Sequence, residues 1–407
     1  VLAQCPERRS PPPCPTTAAL SVPSQPTRTN LHALRNAARK ETRALAEERA
    51  KHPFDDIETA PLDYLPKAWS EPYGTLQDTV YEVYDLQAIR IDGAAEHPTA
   101  LVQSAAMASV PPPVPSYRPV LPKTLVRDGL LSAPQLESVI YAGNAHETHL
   151  KGLFKRGEIE GQLIAAAEGD EGAFRLRKGW FLGDGTGCGK GRQVAGIILD
   201  NWLQGRRRSV WVSKSDKLIE DARRDWMALG GRESDIVPLS KFRQGSDIRL
   251  PEGILFVTYA TLRSAEREGK AARLEQVTSW LGEGFDGVIA FDESHAMANA
   301  AGEKSDRGDK KASQQGLAGL ALQNAVPDAR VLYVSATGAT VVGNLAYASR
   351  LGLWGTGDFP FVTRAEFVAA MEAGGIAAME MISRDLKALG LYLARSLSYA
   401  GVEYEML

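Results

Sequence analysis

An α/β fold with a mostly parallel central sheet flanked by helices is the class this 407-residue sequence predicts. Three observations predict it. Five short runs are continuously apolar: GWFLG (179–183), SVWVS (209–213), GILFVTY (253–259), GVIAFD (287–292) and RVLYVSA (330–336). Unbroken apolar character, rather than alternation, is what strands covered on both faces show. Amphipathic helical stretches fall between these runs, as βαβ units require. A glycine-rich stretch joins the first run to the helix that follows it.

Val194, Ile197, Ile198 and Trp202 recur at helical spacing after that glycine stretch. Leu218, Ala222, Trp226 and Leu229 do the same after SVWVS. Upstream, residues 1–29 are rich in Pro, Ser and Thr and predict disorder, because they cannot bury enough apolar surface to offset chain entropy. Residues 30–110 read as an N-terminal extension. It opens on a charged helix over 30–51 and holds one strand-like run, TVYEVYDLQAIRI. PPPVPSYRPVLP begins a stiff linker over 111–130, and the α/β domain occupies 131–407. The polar segment 301–316 predicts a surface loop.

A net charge of −3 argues against a wholly basic nucleic-acid binder but not against a local basic groove. No apolar run approaches the roughly 20 residues that cross a bilayer, and VLAQCPERRSPPPCP is no signal peptide. The start at Val rather than Met reads as a fragment or a processed chain. Cys5, Cys14 and Cys188 have neither disulfide-framework nor zinc spacing, which fits a reducing, cytoplasmic setting. The Ala-rich composition reads as bacterial or plasmid-borne.

The chemistry concentrates in FLGDGTGCGKGRQVAG (181–196). Gly185, Gly187, Gly189 and Gly191 free the backbone to approach an anion. The helix N-terminus adds unsatisfied N–H groups, and Lys190 a cation, so ATP phosphates are the predicted ligand. Asp184, Thr186, Cys188 and Arg192 complete the candidate loop. The pattern departs from G-x-x-x-x-G-K-[ST] twice: Asp184 stands at the first Gly, and Gly191 removes the hydroxyl that holds Mg²⁺. Thr186 or the Asp184 carboxylate are candidates for the missing oxygen, and a loop-shaping role for Asp184 is equally open. Cys188 reads as a small turn residue or as a reactive thiol.

GVIAFDESHAMAN ends a buried strand in an acid pair, where open α/β sheets bind ligands. Asp292 is the candidate Mg²⁺ ligand and Glu293 the candidate base for an attacking water. Ser335 and Thr337 leave the next strand and are placed to bond the acid cluster and His295.

GK, DESH and SAT in this order resemble motifs I, II and III of superfamily 2 helicases. GDGTGCGKGRQVAGIILDNWLQGRRRSVWVS, FDGVIAFDESHAMAN, ARVLYVSATGAT and NLAYASRLGLWG resemble the strawberry notch family more closely, as do LSAPQLESVIYAGNAHE and DLKALGLYLARSLSYAGVEYE. The resemblance covers about 111–405. It implies a RecA-like P-loop NTPase domain that uses ATP and Mg²⁺, in which Gly after the lysine is usual. It further implies that Gln135 reads adenine; without it, Gln135 reads as a solvated helix-start residue. Ser213, Lys214, Ser215, Thr258 and Tyr259 are implied contacts to a nucleic-acid backbone, DNA rather than RNA, although Ser215 or Asp216 serves equally as a helix cap. Helicases of this superfamily need a second RecA-like domain as partner. None follows before Leu407, so the expectation for this chain is weak ATP binding, slow hydrolysis and no unwinding. The competing reading is a regulatory scaffold or transcriptional co-regulator that binds protein partners through the N-terminal extension. A kinase-like phosphotransferase fits DESH and SAT less well.

Overall fold

The computed structural model describes residues 51–70, 81–157, 163–264, 272–298, 300, 313–336 and 345–398. The expected disordered tail, all but the last residue of the charged helix over 30–51, and Thr337 lie outside them. Residues 56–407 form one compact unit, separate from 1–55.

A seven-stranded, all-parallel sheet organises that unit. Its strands are β1 (Trp180–Leu182), β2 (Arg208–Ser213), β3 (Ile236–Pro238), β4 (Gly253–Thr258), β5 (Val288–Asp292), β6 (Arg330–Val334) and β7 (Tyr392–Leu393). Their spatial order is 3-4-2-5-6-1-7. All five predicted strands are present. Two edge strands are new: β3 is three residues ending in Pro238, and β7 is two residues long. Such short edges carry no periodic signal, and proline is tolerated there because an edge need not donate on its outer side.

The main helices are α1 (Ala133–His146), α2 (Lys190–Leu203), α3 (Ile219–Met227), α4 (Tyr259–Leu262), α5 (Arg273–Leu281), α6 (Gln314–Ala325) and α7 (Arg364–Ala388). The connections β1–α2–β2 and β2–α3–β3 cross the sheet in one direction. Those carrying α4, α5 and α6 cross in the other. Right-handed crossovers therefore put the two groups on opposite faces. Val194, Ile197, Ile198 and Trp202 of α2 are all at most 1% exposed, as their spacing predicts. Trp202 meets Trp226 of α3 with ring centroids 5.6 Å apart. α6 begins inside the predicted surface loop, because Ser313 caps it by accepting from the Gly316 N–H. Among the described residues, no helix is long and apolar enough to cross a membrane.

The predicted extension and linker do not stand apart from the domain. The run 79–91 divides into two short strands, Tyr81–Val83 and Ile89–Arg90, in different sheets. Leu101–Ser104 pairs with Ser396–Leu397 near the other end of the chain. Buried Lys387 of α7 donates to Gln103 Oε1 at 3.0 Å and to the Met107 carbonyl at 2.5 Å. The run 111–122 is strapped along the domain rather than spanning a gap. Tyr117 Oη donates to Asp200 Oδ2 (2.6 Å), the Val120 N–H to Asp200 Oδ1 (2.7 Å), and Tyr141 Oη to the Pro113 carbonyl (2.8 Å). Composition reports stiffness but not attachment. Partners 80 residues away decide the latter.

Asp200 is 1% exposed, and burial raises its carboxyl to about 6 despite its hydrogen bonds. Its ordinary value is 3.8. The folded protein therefore holds the proton where the unfolded chain has released it, so stability falls as pH rises from about 4 to about 6. Urea unfolding of the wild type against Asp200→Asn is expected to show the difference: the wild type loses roughly 3 kcal/mol relative to the variant across that window and nothing further above it.

Candidate nucleotide site

The glycine loop leaves β1 at the carboxyl edge of the sheet and enters α2. Gly189, the residue before α2, has φ +76°, and a Cβ there would lie 2.4 Å from Gln135 Nε2. Only glycine fits both the backbone and the space. Lys190 is the first residue of α2, and its Nζ donates to the Gly185 carbonyl at 3.2 Å. The ammonium group thus lies over the loop that the phosphates would share. Gly185, Thr186, Gly187 and Gly189 are at least partly exposed and line this loop.

Asp184, by contrast, faces inward and is fully buried. Its Oδ1 accepts from the backbone N–H and Nε of Arg395, both at 3.0 Å. Its Oδ2 accepts from Arg395 Nη2 (2.8 Å) and Gln193 Nε2 (2.9 Å). Of the two roles open in the sequence, loop shaping is the one its geometry serves, since four donors occupy the carboxylate. Arg395 is also buried. It donates further to Glu137, Ser138, Gln193 and the Pro134 carbonyl, and its own carbonyl accepts from the Gly185 N–H at 2.6 Å. Tyr84 closes the cluster by donating to Glu137. Arg395 therefore shapes the loop from more than 200 residues away. The sequence offered no signal for it beyond its place in the tail segment quoted above.

Cys188 is 1% exposed, and burial, with Asp184 nearby, pushes its thiol up to about 11. That excludes a reactive thiolate at neutral pH and leaves the small turn residue. Gln135 is partly exposed, and its amide is engaged. Its Oε1 accepts from the Ser132 N–H (3.0 Å), and its Nε2 donates to the Cys188 carbonyl (3.3 Å). The amide thus ties α1 to the loop. Arg192 donates to the Leu130 carbonyl (3.1 Å) and pairs with Asp225 (3.7 Å).

Asp292 ends β5 at the same edge of the sheet. Its Oδ2 accepts from Ser213 Oγ and its Oδ1 from the Glu293 N–H, both at 3.0 Å, and its carbonyl accepts from Tyr259 Oη at 2.9 Å. Burial, and then the Glu293 charge, push Asp292 above the ordinary aspartate range. A carboxylate has about four acceptor positions. Each oxygen here spends one on these bonds, so the side chain fits a hard cation, whose charge would offset the repulsion. No group of three or more potential metal ligands occurs among the described residues.

Glu293 has φ +50° and ψ +45°, and it is the one non-glycine with positive φ among the described residues. A left-handed residue costs on the order of 1–3 kcal/mol and persists only where its surroundings hold it. Here the backbone turn brings Glu293 Oε2 to 3.2 Å from His295 Nδ1, and Ser335 Oγ lies 3.2 Å from the same nitrogen. The Ser335 N–H donates to the Leu182 carbonyl at 3.0 Å. Close polar contacts therefore run from the acid pair through His295 and Ser335 to the strand that feeds the glycine loop, with His295 Nδ1 shared between Glu293 and Ser335.

The residues expected at a nucleic-acid surface divide differently. Ser213 is fully buried on Asp292, and Tyr259 is buried with its hydroxyl on the Asp292 carbonyl. Thr258 is 5% exposed and caps α4, accepting from the Thr261 N–H at 3.1 Å. These three brace the acid site or its helix, which corrects the expectation of backbone contact: a group without solvent access cannot reach a polyanion. Ser215 is a cap, accepting from the Lys217 N–H at 3.3 Å, and Lys214 alone of the five is exposed.

A parallel sheet with a glycine loop after one strand and an acid pair after another defines a P-loop NTP hydrolase. The family model described as P-loop containing NTP hydrolase pore-1 matches residues 96–407. The chain is 39% identical over 325 residues to protein strawberry notch homolog 1 of Gallus gallus, covering 78% of this chain and 24% of that one. It is 41% identical over 313 residues to protein strawberry notch homolog 2 of Mus musculus, covering 76% and 20%. The chain belongs to the strawberry notch family. It spans about a quarter or less of those relatives' lengths. Both relatives are eukaryotic proteins, which lends no support to a bacterial or plasmid-borne origin. Among solved structures, the Sulfolobus solfataricus SWI2/SNF2 ATPase core in complex with dsDNA matches at 16% identity over 54% of this chain and 40% of that one. The TM-score of that match is 0.35.

Proposed function

We propose that this chain is the ATP-binding and ATP-hydrolysing half of a cytoplasmic helicase or translocase motor that acts on nucleic acid, with DNA as the first substrate to test. The observation that carries this reading is the run of close polar contacts Glu293–His295–Ser335–Leu182 between the acid pair and the strand beneath the glycine loop. Hydrolysis coupled to motion needs the group that handles the attacking water to be linked mechanically to the phosphate loop. A solvated acid pair on a scaffold has no such requirement.

In this reading Lys190 and the loop N–H groups hold the β- and γ-phosphates, and Asp292 holds Mg²⁺. Bound there, Mg²⁺ neutralises charge on the transferring phosphoryl group. Glu293 orients water and accepts its proton. His295 and Ser335 fix the Glu293 side chain. Thr337, two residues past Ser335, extends the same coupling. Lys214 is the contact to a phosphate backbone, and a second RecA-like domain supplies the arginine that completes the site.

Equilibrium binding of a fluorescent ATP analogue to the chain and to Lys190→Ala tests the phosphate role. Affinity is expected to fall at least tenfold in the variant, because the ammonium makes charge-assisted bonds worth about 1.5–3 kcal/mol. Equal affinity would remove Lys190 from the site. ATP turnover with and without duplex DNA then tests the track, and stimulation by RNA alone would redirect the assignment.

A further inference from the structure

Gly191 occupies the position where a hydroxyl residue would hold the metal, and the structure shows what stands in its place. A Cβ built on Gly191 would lie 2.1 Å from Oδ2 of Asp225, which projects from α3. A hydroxyl oxygen sits about 1.4 Å beyond its Cβ, so the carboxylate oxygen falls within the volume that a Ser or Thr hydroxyl at 191 would fill. Asp225 is 8% exposed, and it is held by Arg192 Nε (3.7 Å from Oδ1) and Arg224 Nη2 (3.4 Å from Oδ2). Neither contact is a close bidentate pair, so the carboxylate keeps acceptor capacity on both oxygens.

The geometry points to Asp225 as the replacement for the missing hydroxyl: we propose that, when nucleotide and Mg²⁺ bind, its carboxylate would supply the protein oxygen that a hydroxyl at 191 would otherwise give. The inference rests on the nucleotide reading above and deepens it. Mg²⁺ in nucleotide sites is commonly held by one or two carboxylates together with phosphate oxygens, and Asp225 with Asp292 makes two. A carboxylate adds a negative charge that a hydroxyl would not. Arg192 and Arg224 flank it, which limits repulsion of the phosphates when the metal is released. Arg192, expected from the sequence to touch nucleotide, thus acts one step removed. Glycine at 191 is required because any side chain there displaces the carboxylate.

The test is Mn²⁺ binding in the presence of adenylyl-imidodiphosphate, followed by electron paramagnetic resonance on the full chain. Asp225→Ala and the size-conserving Asp225→Asn are expected to weaken Mn²⁺ binding about tenfold or more while melting temperatures establish that both fold. In the double variant Gly191→Ser with Asp225→Ala, the new hydroxyl enters the vacated space and recovers most of the affinity. Unchanged Mn²⁺ affinity in both single variants would overturn the assignment, leaving Asp225 a space-filling residue. A double variant as weak as Asp225→Ala alone would overturn the equivalence of the two oxygens. Failure of the wild type to bind the analogue at all would instead refute the nucleotide reading, and this inference with it.

Discussion

Replacing Glu293 by Gln is expected to lower ATP turnover by roughly 10²-fold or more while leaving affinity for the nucleotide nearly unchanged. The amide keeps the size of the side chain and a carbonyl oxygen that can still orient water. It loses the ability to accept the water's proton. The separation of the two effects matters, because an acid that merely braced the fold would lower binding and turnover together. The strained backbone sharpens the expectation. Position 293 sits at φ +50°, and Gln matches Glu in size, so the side chain is expected to keep its placement and lose only its charge. Turnover is measured by phosphate release under single-turnover conditions and affinity by analogue titration. Equal turnover in wild type and variant would strip Glu293 of its assigned role.

The second large effect lies at Arg395, far from the nucleotide in sequence. Arg395→Met would leave Asp184 and Glu137 buried without their cation, and breaking one partner of a buried pair costs about 3–5 kcal/mol. The loss is expected as a fall in the urea midpoint followed by tryptophan fluorescence. Because the Arg395 carbonyl accepts from the Gly185 N–H, analogue affinity is expected to fall as well. Arg395→Lys should recover little, since an ammonium cannot span Asp184, Ser138, Gln193 and Glu137 with one planar fork. A midpoint within error of wild type for Arg395→Met would show that the buried cluster contributes nothing net.

The sequence determined the chain's local elements and the ends of its strands. Five of the sheet's seven strands were legible because a strand covered on both faces has to be continuously apolar. The glycine loop and the acid pair stood out as candidates because phosphate approach and water activation would demand particular residue types at strand ends. Only the tertiary structure decided partnership. Ser213, Thr258 and Tyr259 stand where a strand exits and look like surface, yet two of them brace Asp292 and the third caps a helix. Asp184 looked like a loop acid and is anchored by an arginine 211 residues away. Gly191 looked like a defect and is the space that Asp225 fills. The physical reason is common to all three. Hydrogen bonds and excluded volume act between atoms that folding brings together, and no spacing along the chain records which distant side chain will arrive.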